Sequence, residues 1–262
     1  MKQLAILLFL FCFVSLFAQG KLAIINDSDG YVNIRKGKGT NYEVITTINK
    51  DEFFYCDTTT IKDEWIKILT MRWQMAPKWE DIKRIEGYVH RSRIQIIENL
   101  SYKKQKELIV EILNKQKQLA ENIHTAWEAK DSLALVKIGE ERSFHNDYKY
   151  DLILEFLPTY FCSTQDTAII QLFYETMWED SGSANEMPSF TIGKCYVCYP
   201  DLVISQINYL EDKEEKEFIF NKIELGLLNY FGIEEDEKSD NEEYNNLKTK
   251  LNNERKKLTT NH

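Results

Sequence analysis

The stretch that decides the fold of the first part of this chain is residues 30–45, GYVNIRKGKGTNYEVI. It begins with alternating β-branched and polar side chains, so Val32 and Ile34 are expected on one face of a half-buried strand. Gly37 and Gly39 then permit backbone angles that other residues avoid, and the strand pattern resumes at residue 42. The stretch therefore predicts a strand, a tight turn and a second strand.

The glycines of this turn also suggest a phosphate-binding loop. Residues 36–40 read KGKGT, whereas the P-loop pattern GxxxxGK[ST] has its glycines at other offsets and lies between a strand and a helix. A strand follows the turn in this chain, so we assign both glycines to the turn. We expect no cofactor.

The same stretch resembles the opening motif of bacterial SH3-like domains, whose usual form is N-[VIL]-R-x-G-P-[GS]-[TS]-x-Y-x-V-[IL]. The matching residues are Asn33, Arg35, Gly37, Gly39, Thr40, Tyr42, Val44 and Ile45, while Lys38 replaces the usual proline. Two later landmarks follow in order: residues 63–68, DEWIKI, resemble the family's GWYKV strand, and residues 87–94, GYVHRSRI, resemble its closing element. The resemblance covers about residues 21–98. It implies a small all-β barrel that contacts peptidoglycan peptides or a protein.

Residues 1–18 have the pattern of a secretory signal peptide. One lysine precedes a run of Leu, Ile, Phe and Val, and the small residue Ala18 stands at the expected cleavage point. The run is too short for a comfortable membrane span, and no later segment is long and apolar enough for one. We therefore predict cleavage after Ala18 and export of a mature chain without a transmembrane segment, either to the periplasm or to the outside.

Residues 21–98 predict strands near residues 22–25, 31–34, 44–48, 53–57, 65–70 and 87–89. Between the last two strands, residues 71–86 are predicted to form an insertion rich in Trp and Met, where a small barrel needs only a hairpin. Five aromatic residues are candidates for lining a ligand groove: Tyr31, Tyr42, Trp73, Trp79 and Tyr88. The alternative is that Trp73 and Trp79 cover the barrel end or pack on the helical domain.

Beyond residue 100 the apolar period changes from two to about 3.6 residues, which predicts an all-helical domain over residues 104–232. We expect paired antiparallel helices, with the first about six turns long and another that ends near Pro158. A helical repeat is an alternative, although no fixed period supports it. Residues 233–262 begin with an acidic run and predict a charged, solvated helical tail, with a partner-binding helix as the alternative.

The mature chain has four cysteines: Cys56, Cys162, Cys195 and Cys198. Cys195 and Cys198 form a CxxC motif that we place in a long loop over residues 180–199. We favour a disulfide between these two cysteines, which would hold the loop in a fixed conformation. Two free thiols are the second interpretation. A redox pair would need an α/β context, and zinc would need a second pair of ligands. Bridges to Cys162 or Cys56 stay open.

Charge and histidine content limit the classes of function that the sequence supports. Residues 101–262 carry 30 acidic and 19 basic side chains, and nucleic-acid binding needs a basic surface, so we expect no nucleic-acid partner. The mature chain has four histidines, in patterns that match neither a zinc amidase nor a cysteine peptidase: His90, His124, His145 and His262. The sequence therefore predicts neither a metal site nor an enzyme.

These observations favour an exported, non-catalytic binding or scaffold protein of the bacterial cell envelope, with peptidoglycan peptides or an envelope protein as its partner. One alternative is a cell-wall hydrolase whose catalytic residues lie in the helical half, since acidic residues are plentiful there. A second alternative is that the barrel is only a structural adaptor.

Overall fold

The computed structural model describes residues 20–50, 52–73, 82–181, 185–234 and 239–260. They form two compact units divided after Ser101, which we call the β unit and the helical unit. An antiparallel sheet followed by helices confirms the predicted order of a β part and then an α part. The predicted signal peptide, residues 1–18, lies outside the described residues.

The β unit is a seven-stranded sheet in the order β3-β2-β6-β5-β4-β1-β7, with antiparallel neighbours throughout. Its strands are β1 (Gly20–Ile25), β2 (Tyr31–Arg35), β3 (Val44–Asn49), β4 (Phe54–Asp57), β5 (Trp65–Trp73), β6 (Ile82–His90) and β7 (Ile94–Ile96). Within the described strands, β3 and β7 are the two ends of the ladder and do not pair with each other. The observed sheet is therefore open.

Alternating side chains build the core of this sheet, because successive residues of a strand point to opposite faces. Val32 and Ile34 of β2 are buried, as are Ile66 and Ile68 of β5 and Val89 of β6. They belong to a single apolar cluster that also contains Ala23, Ile25, Ile48, Phe54, Cys56, Ile94 and Ile96. The prediction that Val32 and Ile34 lie on one buried face of the strand is thus confirmed.

Residues 71–73 and 82–86, which the sequence assigned to an insertion between two strands, belong to the strands themselves. Strands β5 and β6 pair without a break from Trp65 opposite His90 to Trp73 opposite Ile82. Residues 71–73 and 82–86 therefore extend a long hairpin, because backbone pairing continues past the point where the apolar alternation weakens. Trp79 lies outside the described residues.

The helical unit consists of eight α-helices within its described residues: α1 (Tyr102–Glu128), α2 (Ser132–His145), α3 (Asp151–Thr164), α4 (Thr167–Glu179), α5 (Met187–Cys198), α6 (Pro200–Asn208), α7 (Lys213–Phe231) and α8 (Glu242–Thr260). A five-residue π-helical turn, Asn146–Tyr150, joins α2 to α3. The prediction of a long loop over residues 180–199 is wrong, because helix α5 occupies most of that range. Pro188 does not prevent this helix, since it lies in the first turn, where proline is tolerated.

The prediction that a helix ends near Pro158 is also wrong, since α3 continues to Thr164. A proline inside a helix lacks the N–H that would bond the carbonyl four residues earlier, here that of Leu154. The Thr191 hydroxyl of α5 donates to that carbonyl at 3.0 Å. A tertiary hydrogen bond therefore satisfies the carbonyl that the proline leaves without its helical partner.

The C-terminal helix α8 is a packed part of the helical unit, so the expectation of a solvated, loosely attached tail is wrong. Tyr244 and Leu251 are buried. The Tyr196 hydroxyl of α5 donates to the Leu247 carbonyl at 3.0 Å, and Arg255 Nε donates to Glu217 of α7 at 2.6 Å. These two buried side chains and the hydrogen bonds to α5 and α7 therefore dock α8 on the rest of the helical unit.

Across the described ranges, none of the helices combines the length and the apolar character that a membrane span requires.

Candidate functional site

A cleft of about 330 Å³ lies on the outer face of the β unit. The floor of the cleft consists of Trp65 and His90, which are paired across β5 and β6. The next pair in the register, Ile66 and Val89, points into the core, so Trp65 and His90 point outward. On β2 the same alternation directs Tyr31, Asn33 and Arg35 to this face, opposite the buried Val32 and Ile34. Turn residues around Asp27 and Arg93 complete the wall.

The aromatic floor is held in a defined orientation. The rings of Trp65 and His90 meet edge to face with centroids 5.3 Å apart. His90 Nδ1 lies 2.7 Å from Ser92 Oγ, and His90 Nε2 lies 3.2 Å from Glu64 Oε1. Because both of its ring nitrogens are hydrogen-bonded, the imidazole is held in place beside the half-buried Trp65.

Two guanidinium groups flank the floor, and each is anchored. Arg35 Nη1 donates to the carbonyls of Thr40 and Tyr42 at 2.9 and 2.8 Å. Arg93 forms an ion pair with the well-buried carboxylate of Asp27 and lies 3.7 Å from Asp29. The backbone N–H of Asp29, and then Arg93, donate to Asp27 and hold the pKa of that carboxyl below its ordinary value. The cleft therefore carries fixed charges of both signs beside an aromatic surface.

Of the five aromatic residues predicted to form a groove, the structure places Tyr31 in this cleft. Tyr42 instead packs on the turn, since a side chain at Gly37 would come within 2.5 Å of its ring. The ring of Tyr88 lies 5.9 Å from the Lys38 ammonium and is not among the residues lining the cleft. Trp73 is the last residue of β5, and Trp79 lies outside the described residues.

Trp65 and His90 are the residues that sequence reasoning missed. The five predicted residues were aromatic side chains of residues 30–42, of the predicted insertion and of the closing element at residues 87–94, and the strand predicted at residues 65–70 contributed none. The signal was nevertheless present, because the buried Ile66 and Ile68 imply that Trp65 faces outward.

The predicted disulfide between Cys195 and Cys198 is wrong. The bridge joins Cys162 of α3 to Cys198, with Cα atoms 6.0 Å apart. Both motif cysteines lie on α5, where Cys195 is fully buried in the core and Cys198 reaches the surface at the helix end. Burial raises the pKa of the Cys195 thiol and raises that of Cys56 to about 12. Neither free thiol is therefore suited to nucleophilic chemistry.

Among the described residues of the helical unit, one histidine is buried and has a strongly shifted pKa. His145, at the end of α2, lies with Nε2 3.2 Å from the Ile112 carbonyl. Burial lowers its pKa from 6.5 to about 4, and the charges of Lys149 and Lys115 act in the same direction. Among the described residues, no group of three or more His, Cys, Asp or Glu is arranged to hold a metal ion.

Acidification should destabilise the chain through His145. Between pH 6.5 and 4 the His145 imidazole is protonated in the unfolded chain and neutral in the folded chain. The stability that neutral His145 contributes is therefore complete above pH 6.5 and is lost as the pH falls. The difference of 2.5 pKa units corresponds to at most about 3 kcal/mol. Urea unfolding at pH 7, 5.5 and 4.5 should show this loss in the native chain and a much smaller loss in His145→Gln.

His124→Gln is the matched control for that series, because His124 is exposed on α1 and should leave the slope unchanged. Burial raises the pKa of Asp147 to about 6, so acidification increases stability at this residue. This contribution is the same in the native chain, His145→Gln and His124→Gln. Equal pH slopes for the native chain and His145→Gln would show that His145 does not carry the effect.

Comparison of the chain with protein-family models, with curated proteins and with solved structures finds no match.

Proposed function

We propose that this chain is an exported, non-catalytic binding protein of the bacterial cell envelope, whose β unit is an SH3-like module that binds a short peptide, such as a peptidoglycan stem peptide. The observation that carries the proposal is the cleft over Trp65 and His90, with Arg35, Arg93 and Asp29 at its sides. The signal-peptide pattern of residues 1–18 and the SH3-like motifs of residues 21–98 are consistent with it.

The chemistry of the cleft suits a short peptide better than an apolar ligand. A peptide offers backbone amides, at least one carboxylate and one or more ammonium groups. Guanidinium groups bind carboxylates, the exposed Asp29 carboxylate attracts an ammonium, and the Trp65 face accepts either an aliphatic stem or a cation. Because Arg35 and Arg93 are already anchored by the protein, little side-chain entropy is lost when the ligand binds.

Trp65→Ala should weaken binding to insoluble peptidoglycan. A central aromatic anchor typically contributes about 2 kcal/mol or more, so the affinity for sacculi should fall about thirtyfold or more. Co-sedimentation of the full chain with purified sacculi measures this. Tyr209→Ala is the control, because Tyr209 is a 72% exposed aromatic residue in the helical unit and its loss should leave binding unchanged.

The same assay separates binding from the alternatives. Soluble muropeptides released into the supernatant by the native chain would contradict a non-catalytic role and favour a hydrolase. Equal sedimentation of the native and Trp65→Ala chains would contradict the cleft as the binding surface.

A further inference from the structure

The helical unit contains a polar group of side chains in its interior, which we call the Tyr150 cluster: Gln116, Arg142, Asn146, Tyr150 and Asp180. These residues come from α1, α2, the π-helical turn and the end of α4. The π turn widens the helix between α2 and α3 and changes the direction of its side chains, a feature that often marks a functional position. Tyr150 and Gln116 are completely buried.

Asp180 is the centre of this cluster. Its carboxylate forms an ion pair with Arg142 and accepts a hydrogen bond from Gln116 Nε2 at 2.9 Å. Burial still raises the pKa of Asp180. The Tyr150 hydroxyl lies within the electrostatic influence of Asp180 and Arg142. Its pKa is raised first by burial and then by the charges of Asp180 and Asp151, while the charge of Arg142 acts in the opposite direction. Gln116, Arg142, Tyr150 and Asp180 therefore share one buried environment whose main charges already neutralise each other. Asn146 begins the π-helical turn that ends at Tyr150, and its Oδ1 is buried as well.

Four polar atoms of the cluster have no hydrogen-bond partner among the described residues: Gln116 Oε1, Arg142 Nε, Asn146 Oδ1 and Tyr150 OH. Native interiors almost always pair such atoms, because an unpaired buried polar group loses its hydration without compensation. Here they comprise one donor, two acceptors and one hydroxyl that does both. Their natural complement is a molecule that both donates and accepts hydrogen bonds.

We propose that the Tyr150 cluster is a binding site for ordered internal water, which hydrogen-bonds the Tyr150 hydroxyl and the other three atoms and joins the π turn to α1 and α2. The occupant is neutral because Arg142 already pairs with Asp180, and it is small because these atoms are sealed from solvent. Buried water of this kind makes about three hydrogen bonds and is an integral part of a folded core.

Tyr150→Phe in the full chain tests this site. If the hydroxyl bonds internal water, its removal should raise the equilibrium constant for urea unfolding by about five- to tenfold. Tyr174→Phe is the matched control, because Tyr174 is equally buried and its hydroxyl donates to the Val203 carbonyl at 2.9 Å. We expect losses of similar size from the two variants.

An unchanged or smaller unfolding constant for Tyr150→Phe would overturn the proposal, since deleting an unpaired buried hydroxyl relieves a desolvation cost. Oxygen-17 relaxation dispersion of water gives an independent readout on the folded proteins. The native chain should hold more long-lived internal waters than Tyr150→Phe, whereas Tyr174→Phe should match the native number. Equal numbers in the native chain and Tyr150→Phe would also overturn the proposal.

Discussion

Gly226→Ala is expected to lower the free energy of unfolding of the helical unit by about 3–5 kcal/mol. Gly226 on α7 crosses Gly193 on α5 at backbone contact. A Cβ at Gly226 would lie 2.0 Å from the Ser189 carbonyl oxygen and 2.8 Å from Gly193 Cα. Backbone atoms cannot move aside as a flexible side chain can, so the two helices must separate and their apolar contacts must open.

The matched control for that variant is Gly139→Ala on α2, where a Cβ would meet nothing within 4 Å. Alanine there should stabilise the helix by about 0.5–1 kcal/mol, because it restricts the unfolded chain more than glycine does. Urea denaturation of both variants, monitored by circular dichroism at 222 nm, should give shifts of opposite sign. A Gly226→Ala protein as stable as the native chain would contradict the close helix crossing.

Loss of the Cys162–Cys198 disulfide is expected to lower the free energy of unfolding by about 3–4 kcal/mol. The bridge closes a chain segment with a sequence separation of 36 residues, and a loop of that length restricts the unfolded chain by about this amount. The double variant Cys162→Ser, Cys198→Ser and the reduced native chain should unfold at similar, lower urea concentrations. Reductant should not change the double variant further.

Cys195→Ala is the control for the disulfide experiment, because Cys195 is buried without a bridge. It should retain the sensitivity to reductant that the native chain shows. If Cys195→Ala instead removes that sensitivity, the bridge involves Cys195 and the pairing described here is incorrect. Peptide mapping of the oxidised chain would identify the partner directly.

Local sequence patterns predicted much of the fold. Strand alternation identified Val32 and Ile34 as the buried face of residues 30–35, and the 3.6-residue period identified the long helix α1 with Ile109, Ile112 and Leu113 inside. These features depend on the alternation of apolar and polar side chains along one segment, and a single element suffices to define them.

The errors have a common cause, which is that tertiary contacts override local signals. Pro158 does not end α3 because Thr191, more than 30 residues later, bonds the Leu154 carbonyl. The disulfide partner of Cys198 is on another helix, so the short spacing to Cys195 was misleading. In the cleft, Trp65 and His90 meet only because β5 and β6 pair in one particular register.

The central claim is that the cleft over Trp65 binds a peptide, and its most direct test is an NMR titration of the full, isotope-labelled chain with a soluble peptidoglycan stem peptide. The account predicts saturating chemical-shift changes at the Trp65 indole N–H and at the backbone amides of residues 27–35 and 90–93. The same titration of Trp65→Ala should show little change at equal peptide concentration. Shifts confined to the helical unit, or none at any concentration, would contradict the claim.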